Sequence, residues 1–156
     1  MNRPAQPNAP GVEEILETFD FFDDWEDKYR YLIELGRALP PLDPALRDEA
    51  HRVHGCQSQV WLHARREGDR LWFEADSDAL IVKGLLALVL AAFNGRTPDE
   101  ILAFDIEAYF RRLDLIRHLS PTRGNGLRAL VERIRELARQ AAAEGAPSLS
   151  PAPAEE

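Results

Sequence analysis

The sequence predicts an α+β fold in which a small antiparallel sheet of about three strands packs against N- and C-terminal helices. Apolar residues recur at helical spacing near both ends of the chain, whereas strict alternation, which is typical of strands, is confined to the middle. Helices and strands are therefore segregated along the chain, which indicates α+β architecture. A length of 156 residues, with 45% hydrophobic and 29% charged residues, suits one globular domain.

Two helices are predicted before residue 40. The first has apolar residues at positions i, i+3, i+4 and i+7, and the second runs from Trp25 to Gly36, before the proline pair at 40–41. Between Glu13 and Asp27 lie eight acidic residues and no basic ones. Two interpretations of this run remain open: a solvated helix face, with acids favoured near helix N-termini, or a docking patch for a basic partner.

The sheet is predicted in the middle of the chain. Alternating apolar residues over 58–75, interrupted by turn residues at 67–69, predict a β-hairpin. Residues 51–54 are expected to add a third, short strand beside the first strand of the hairpin. Gly55 and Cys56 would then lie in the tight connection between two strands.

Cap residues mark the remaining helices. Asp43-Pro44 begins a short helix, and Ser77 is predicted to cap a buried helix over 78–93 that ends at Asn94-Gly95. A capping box at 97–100 begins the next helix, and apolar residues at helical spacing continue from Tyr109 to Ile116, before Ser120-Pro121. A last amphipathic helix is predicted over 127–137.

Proline-rich segments flank this unit. Residues 1–11 and 141–156 are small, polar and rich in proline, and such compositions bury too little apolar surface to offset the entropy of ordering. We therefore predict disordered tails at 1–11 and 141–156 around one domain at 12–140.

Charge and cysteine content exclude several function classes. A net charge of −8 argues against nucleic acid and anionic lipid as partners. The longest apolar stretch, 79–93, carries Lys83 and is shorter than the roughly 20 residues that a transmembrane helix needs. A single cysteine cannot form an internal disulfide, so we expect a reducing, cytoplasmic location.

Cys56 is the candidate nucleophile. The thiolate is the reactive form of cysteine, and Arg52 and His54 are placed in sequence to favour it, while Gly55 permits a tight turn that presents the sulfur. The polar residues that follow Cys56 favour a loop tip over a core position. The alternative is a buried, inert thiol, because free cysteines often pack as small hydrophobes.

Other chemistry has weaker support in the sequence. A cysteine hydrolase needs a histidine base and an orienting residue in space, and no sequence feature pairs a histidine with Cys56. The four histidines match no standard metal-ligand spacing, and no glycine-rich phosphate loop is present. We expect neither a metal nor a bound cofactor.

The sequence around Cys56 resembles the cysteine-bearing signature of the SufE family of cysteine desulfuration proteins, which includes CsdE. The matching motif is Gly55-Cys56-Gln57-Ser58-Gln59-Val60-Trp61. Four further segments agree with the family in order and spacing. They are 31–36 with 39–42, 76–79 with 81–85, Thr97-Pro98, and 118–123, and with the motif they span about residues 15–138.

The resemblance implies a fold similar to that of the SufE and IscU proteins. It also implies a sulfur acceptor and activator for a pyridoxal-phosphate (PLP) cysteine desulfurase of the SufS or CsdA type. Cys56 would take the terminal sulfur of the desulfurase's persulfide and pass it to an iron–sulfur scaffold complex, as a carrier rather than as a stand-alone enzyme. Scaffold function itself does not follow from the fold, because IscU proteins bind clusters through several cysteines.

The same resemblance gives roles to other positions. Arg123 falls where the family has an arginine near the active cysteine, and its charge is expected to favour the anionic sulfur; a surface ion pair is the alternative. Asp78 matches an aspartate near the desulfurase interface, and helix first-turn chemistry is the alternative. The residues expected to support Cys56 are His54, Gly55, Gln57, Ser58 and Arg123.

We further expect the Cys56 loop to change position when a partner binds. In the free protein it would hold the sulfur against an apolar pocket near Trp61 and the 78–93 helix, and on docking it would swing out. A function from a different class remains open, namely a cysteine-independent binding module that regulates a desulfurase or a scaffold through its surface.

Overall fold

The computed structural model of the chain describes residues 9–144, in which helices flank a two-stranded antiparallel sheet. The elements are α1 (Val12–Phe21), α2 (Trp25–Ala38), β1 (Val60–Glu67), β2 (Arg70–Ser77), α3 (Leu80–Phe93), α4 (Pro98–Ala103), α5 (Ile106–Leu113) and α6 (Pro121–Ala143), with short 3-10 turns at Pro44–Leu46, Glu49–His51 and Ile116–His118. The predicted α+β class is confirmed. The predicted tails lie mostly outside the described residues. The boundary predicted at 140 is too early, because α6 continues to Ala143 and buries Ala141 in the core.

The two strands form a regular hairpin. Their register runs from Val60 opposite Ser77 to Glu67 opposite Arg70. The hairpin buries one face against the helices, as the period-two alternation predicts. The buried strand residues include Val60, Leu62, Leu71, Phe73 and Ala75.

Residues 51–54 contribute a single bridge to the sheet rather than a third strand. Arg52 pairs with Trp61 in an isolated antiparallel bridge, and the N–H of Val53 donates to the carbonyl of Val60 over 2.8 Å. The segment cannot form a longer strand, because His51 belongs to a 3-10 turn and Gly55 adopts a positive φ of 96° just after the segment.

Side-chain caps begin most of the helices. Asp43 and Thr97 cap the elements that the sequence assigns to them, and Thr97 forms the full capping box. Ser77 does not cap α3, because backbone pairing keeps it in β2 and the helix begins three residues later, at Leu80. Instead, the Ser77 hydroxyl accepts the N–H of Ala79 over 3.2 Å.

The acidic run of the sequence lies on α1 and the first turn of α2. Asp24 caps α2 by accepting the N–H of Asp27 over 2.9 Å. Glu26 and Asp27 both contact Arg30, at 3.0 and 2.7 Å. Helix-terminus chemistry therefore accounts for this part of the run, in line with the solvated-face interpretation.

Helix α3 lies between α2 and the sheet and is buried on most sides. The backbones of α2 and α3 approach closely where two glycines meet. A methyl group on Gly84 would lie 2.2 Å from the carbonyl oxygen of Leu32, and one on Gly36 would lie 2.7 Å from the backbone nitrogen of Gly84. This crossing requires glycine, and it fixes the position of α3, whose first turns lie beside the Cys56 loop.

A buried carboxylate ties the loop after α2 to the sheet. Asp76 is 1% exposed and accepts the N–H of Leu42 over 3.1 Å and that of Ser77 over 2.8 Å. The guanidinium of Arg47 and the ammonium of Lys83 lie 2.7 and 3.5 Å from its oxygens. Burial alone would raise the pKa of Asp76, but these hydrogen bonds and cations outweigh burial and hold that pKa below its usual range.

Candidate functional site

Cys56 lies on a short loop, residues 54–58, whose two ends are both held. On one side, the N–H of Val53 donates to Val60 over 2.8 Å. On the other, the Asp78 carboxylate accepts the N–H of Gln59 over 3.1 Å, and the N–H of Asp78 donates back to the Gln59 carbonyl over 3.3 Å. Backbone hydrogen bonds therefore fix the chain on both sides of residues 54–58.

Gly55 turns this loop towards α6. Its φ of 96° belongs to the left-handed region, which glycine adopts without strain. A methyl group at this position would lie 3.1 Å from the Ala129 side chain on α6. The turn and the close packing together explain why glycine precedes the cysteine.

The Cys56 thiol lies against the first turns of α6 and is half-buried. Its Sγ is 3.5 Å from the carbonyl oxygen of Gly126, to which the S–H donates. A methyl group on Gly126 would lie 3.3 Å from the same sulfur. The glycine at 126 thus leaves the space that the thiol occupies.

The sulfur forms part of the wall of a cavity of about 110 Å³ between the loop, α3 and α6. The apolar side consists of Val60, Val82, Leu85, Leu86, Leu127 and Leu130. The polar side consists of Gln57, Ser58, Ser120, Thr122 and Arg123. As expected, residues of the helix over 78–93 line this cavity. Trp61 does not line it, and the centre of the Trp61 ring lies 5.9 Å from the guanidinium carbon of Arg47.

Burial and charge act on Cys56 in opposite directions. Burial raises the pKa of the Cys56 thiol, and the nearby charge of Arg52 lowers it by a smaller amount. The net result is a pKa above the ordinary cysteine value, so the Cys56 thiol is protonated at neutral pH in this conformation. The inert-thiol alternative agrees with this protonated, half-buried thiol, although the cavity gives the sulfur room that a packed core cysteine lacks.

The structure brings some of the predicted supporting residues together and not others. Gln57, Ser58 and Arg123 share the cavity with Cys56. His54 points away from it: its side chain is 71% exposed, and its Nε2 lies 3.0 Å from a Glu49 carboxylate oxygen. Asp78 is exposed and holds the base of the loop.

One residue that contacts the sulfur is not among the site residues that the sequence predicts. Gly126 belongs to a Gly-Asn-Gly segment that by itself indicates a turn or helix start, and nothing local indicates the packing of Cys56 against it. Arg52 is one of the two residues that the sequence places to favour the thiolate. In the structure its charge lowers the pKa of Cys56, although burial raises that pKa by more.

Within residues 9–144, no three His, Cys, Asp or Glu side chains are arranged to hold a metal ion. Over the same residues, no helix combines the length and the apolar character that crossing a bilayer requires.

Comparisons with known proteins agree on one family. Residues 13–138 match the SufE model, described as an Fe-S metabolism associated domain. The chain is 48% identical over 136 residues to an uncharacterised SufE-like protein of Rhizobium etli, covering 85% of this chain and 92% of that protein. It is 46% identical over 128 residues to one of Rhizobium meliloti, covering 80% and 91%. The solution structure of a hypothetical protein from Thermus thermophilus has a TM-score of 0.69 at 27% identity, covering 85% of this chain and 96% of that one.

Proposed function

Because the chain belongs to the SufE family, we propose that it is a sulfur acceptor and activator of a PLP-dependent cysteine desulfurase of the SufS or CsdA type. Cys56 accepts the sulfur, which then passes to an iron–sulfur scaffold complex. The observation that carries this proposal is that the Cys56 sulfur forms part of the wall of a cavity of about 110 Å³. This space exceeds several-fold the roughly 15 Å³ that one water molecule requires, so it accommodates an added sulfur atom.

The transfer needs only one nucleophile on this chain. The Cys56 thiolate attacks the outer sulfur of the desulfurase persulfide, and a new S–S bond forms at Cys56. The S–S bond of the desulfurase breaks, and its cysteine leaves as a thiolate. The transferred sulfur keeps its proton, so sulfur and charge balance without an external oxidant or reductant.

The raised pKa of Cys56 supports a mechanism in which the loop opens before the reaction. In the closed position the thiol is protonated and donates to Gly126. Opening returns the sulfur to water, removes the cost of burial and favours the thiolate. After transfer, closure carries the outer sulfur into the cavity, which shelters a reactive persulfide from other thiols.

The surface beside the loop provides a contact for the desulfurase. Asp78 is exposed, and Leu80, at the start of α3, is 40% exposed although it is a large apolar residue. A partner that contacts Asp78 competes with its hydrogen bond to Gln59 and so loosens the base of the loop. Partner docking and loop opening are thereby coupled.

Residues on the polar side of the cavity support the bound sulfur. Arg123 lines the cavity and forms no ion pair with any residue between 9 and 144, so its charge is free to favour an anionic sulfur. Gln57 and Ser58 move with Cys56 and keep polar groups beside it. His54 has no role at the sulfur in this proposal, because its imidazole faces solvent and lies beside Glu49.

We assign this activity to the domain at 12–140 and to the cytoplasm. A carrier whose single cysteine must remain reduced between transfers is best suited to a reducing compartment.

Desulfurase turnover with wild type and Cys56→Ser tests the proposal. Sulfide release from L-cysteine is measured with a SufS-type and a CsdA-type desulfurase, in separate reactions. We expect the wild-type chain to stimulate at least one of them and Cys56→Ser to bind without stimulating. If the serine variant stimulates as well as wild type does, the carrier function is wrong and the chain is a binding module that regulates the desulfurase.

A further inference from the structure

A charged groove lies beside the start of the Cys56 loop and shares no lining residue with the cavity. It lies between the segment at 49–54 and α6 and has a volume of about 470 Å³. We call it the 49–54 groove. Its charged or titratable lining residues are Glu49, Arg52, His54, Glu132, Arg133 and Glu136.

Every carboxylate of the 49–54 groove already has a partner. Glu49 lies 3.0 Å from His54. Glu136 lies 2.7 Å from Arg133. Glu132 lies 2.6 Å from Arg139, which is outside the groove.

Among the charged or titratable residues that line the 49–54 groove, Arg52 is the one that these ion pairs do not include. Its guanidinium makes no ion pair or side-chain hydrogen bond with any residue that the structure describes. Its backbone is nevertheless fixed, through the bridge to Trp61 and through the turn bond from its N–H to Glu49, at 3.2 Å. A half-buried arginine whose backbone is fixed and whose guanidinium is unpaired is well suited to act on a charge that forms during function.

The charge that forms during sulfur transfer is on Cys56, on the other side of a tight turn from Arg52. The two residues are four positions apart around the Gly55 turn, and Gly55 packs on Ala129, which also lines the groove. Arg52 lies on the sheet side of Gly55 and stays in place when residues 54–58 move. Its charge acts on the Cys56 sulfur already in the closed loop, against the effect of burial.

We infer that Arg52 is a positioning residue for sulfur transfer, which holds the anionic sulfur of Cys56 near the base of the loop. This inference rests on the proposed function and gives Arg52 and Arg123 separate roles in it. Arg52 favours the thiolate as it attacks and the persulfide anion once it has formed, whereas Arg123 lines the cavity that the sulfur also lines. The unpaired state of Arg52 is then functional, because a carboxylate partner would neutralise the charge that the sulfur needs.

The pH dependence of Cys56 alkylation by iodoacetamide tests this role on the protein alone. The variants are Arg52→Gln, Arg52→Lys and the matched control Arg133→Gln, which removes a paired cation from the same groove. An interaction of about 1 kcal/mol corresponds to a shift of roughly 0.7 pH units. We therefore expect Arg52→Gln to move the midpoint of the profile upward by about half to one unit and to slow alkylation at neutral pH about two- to threefold.

The controls separate this effect from a loss of structure. Arg52→Lys should restore most of the wild-type profile, and Arg133→Gln should leave the profile unchanged. Unfolding or loosening of the loop would expose Cys56 and speed alkylation, which is the opposite sign. An unchanged profile for Arg52→Gln, or an equal shift for Arg133→Gln, overturns the inference.

Sulfur transfer from a charged desulfurase distinguishes this inference from the proposed function. If wild type gains sulfur and Arg52→Gln gains it equally fast, Arg52 is not a positioning residue although the proposed function holds. If wild type gains none, the proposed function fails, and the role of Arg52 in sulfur transfer fails with it even where the alkylation profile shifts. Slower gain by Arg52→Gln, with recovery in Arg52→Lys, supports both.

Discussion

Replacing Gly126 by alanine tests whether Cys56 rests against α6 in solution. The added methyl group would lie 3.3 Å from the Cys56 sulfur and 3.5 Å from its Cα, closer than carbon and sulfur normally pack. The loop at 54–58 can relieve this crowding by opening, because its two ends are held independently of it. The substitution should therefore shift the loop towards the open position without disrupting the fold.

The size of the effect follows from two opposing contributions. Alanine in place of glycine stabilises a helix by about 1 kcal/mol, and overpacking costs about 1–3 kcal/mol. Crowding of about 1 kcal/mol between the new methyl group and the closed loop would raise the open population about fivefold. The global stability should change little, because the gain in the helix and the loss at the contact nearly cancel.

Gly124→Ala is the matched control for this experiment. Gly124 lies two residues before Gly126, near the start of α6, and a methyl group on it would have no neighbouring atom within 4 Å. It should gain the helix stability and leave Cys56 unaffected. The assay is the rate of iodoacetamide alkylation at fixed pH, with thermal unfolding measured in parallel. If both variants react at the same rate, or Gly126→Ala reacts more slowly, Cys56 does not pack against Gly126 in solution.

Three further substitutions have defined outcomes. Asp78→Ala removes the acceptor for the N–H of Gln59; alkylation of Cys56 should speed up several-fold, and an unchanged rate would show that this bond does not hold the loop. Asp76→Asn removes a buried charge next to two cations and should cost about 3 kcal/mol at pH 7 in a denaturant titration. The pKa of Asp76 is lowered in the folded protein, so its carboxylate contributes fully to the free energy of unfolding above the ordinary pKa near 4 and loses that contribution as pH falls through the folded pKa. The difference in unfolding free energy between wild type and this variant should therefore shrink below about pH 4. A difference that stays constant with pH would contradict the assignment. Gly84→Ala places a methyl group 2.2 Å from the carbonyl oxygen of Leu32 and should destabilise by at least about 2 kcal/mol, whereas wild-type stability would mean that α2 and α3 do not cross there.

Local sequence signals were sufficient for most of the fold. The strand pairing follows from alternation, since shifting the register by one residue would expose Phe73 and Leu62. Thr97 and Asp43 cap helices because their short polar side chains reach backbone N–H groups within three residues. Such signals operate over a few positions and can be read directly from the chain.

The errors arose where tertiary structure overrides a local signal. Ser77 is a good cap residue, but pairing with Val60 keeps it in β2. The apolar stripe from Tyr109 to Ile116 continues in the sequence, yet α5 ends at Leu113 because Asp114 adopts a left-handed conformation with φ of 54°. Neither outcome has a marker in the adjacent sequence.

The candidate site was only partly predictable for the same reason. The motif around Cys56 and the glycine before it were evident from the sequence. The contact with Gly126 joins residues separated by 70 positions. It requires the position of α6, which the sequence pattern alone does not determine.

The most direct test of the account is the intact mass of the chain after incubation with a PLP-dependent cysteine desulfurase and L-cysteine. Wild type should gain the mass of one sulfur atom, the gain should map to the peptide that contains Cys56, and a thiol reductant should remove it. Cys56→Ser should gain nothing. A wild-type chain whose mass stays unchanged beside a desulfurase that carries its own persulfide would contradict the claim that Cys56 accepts sulfur.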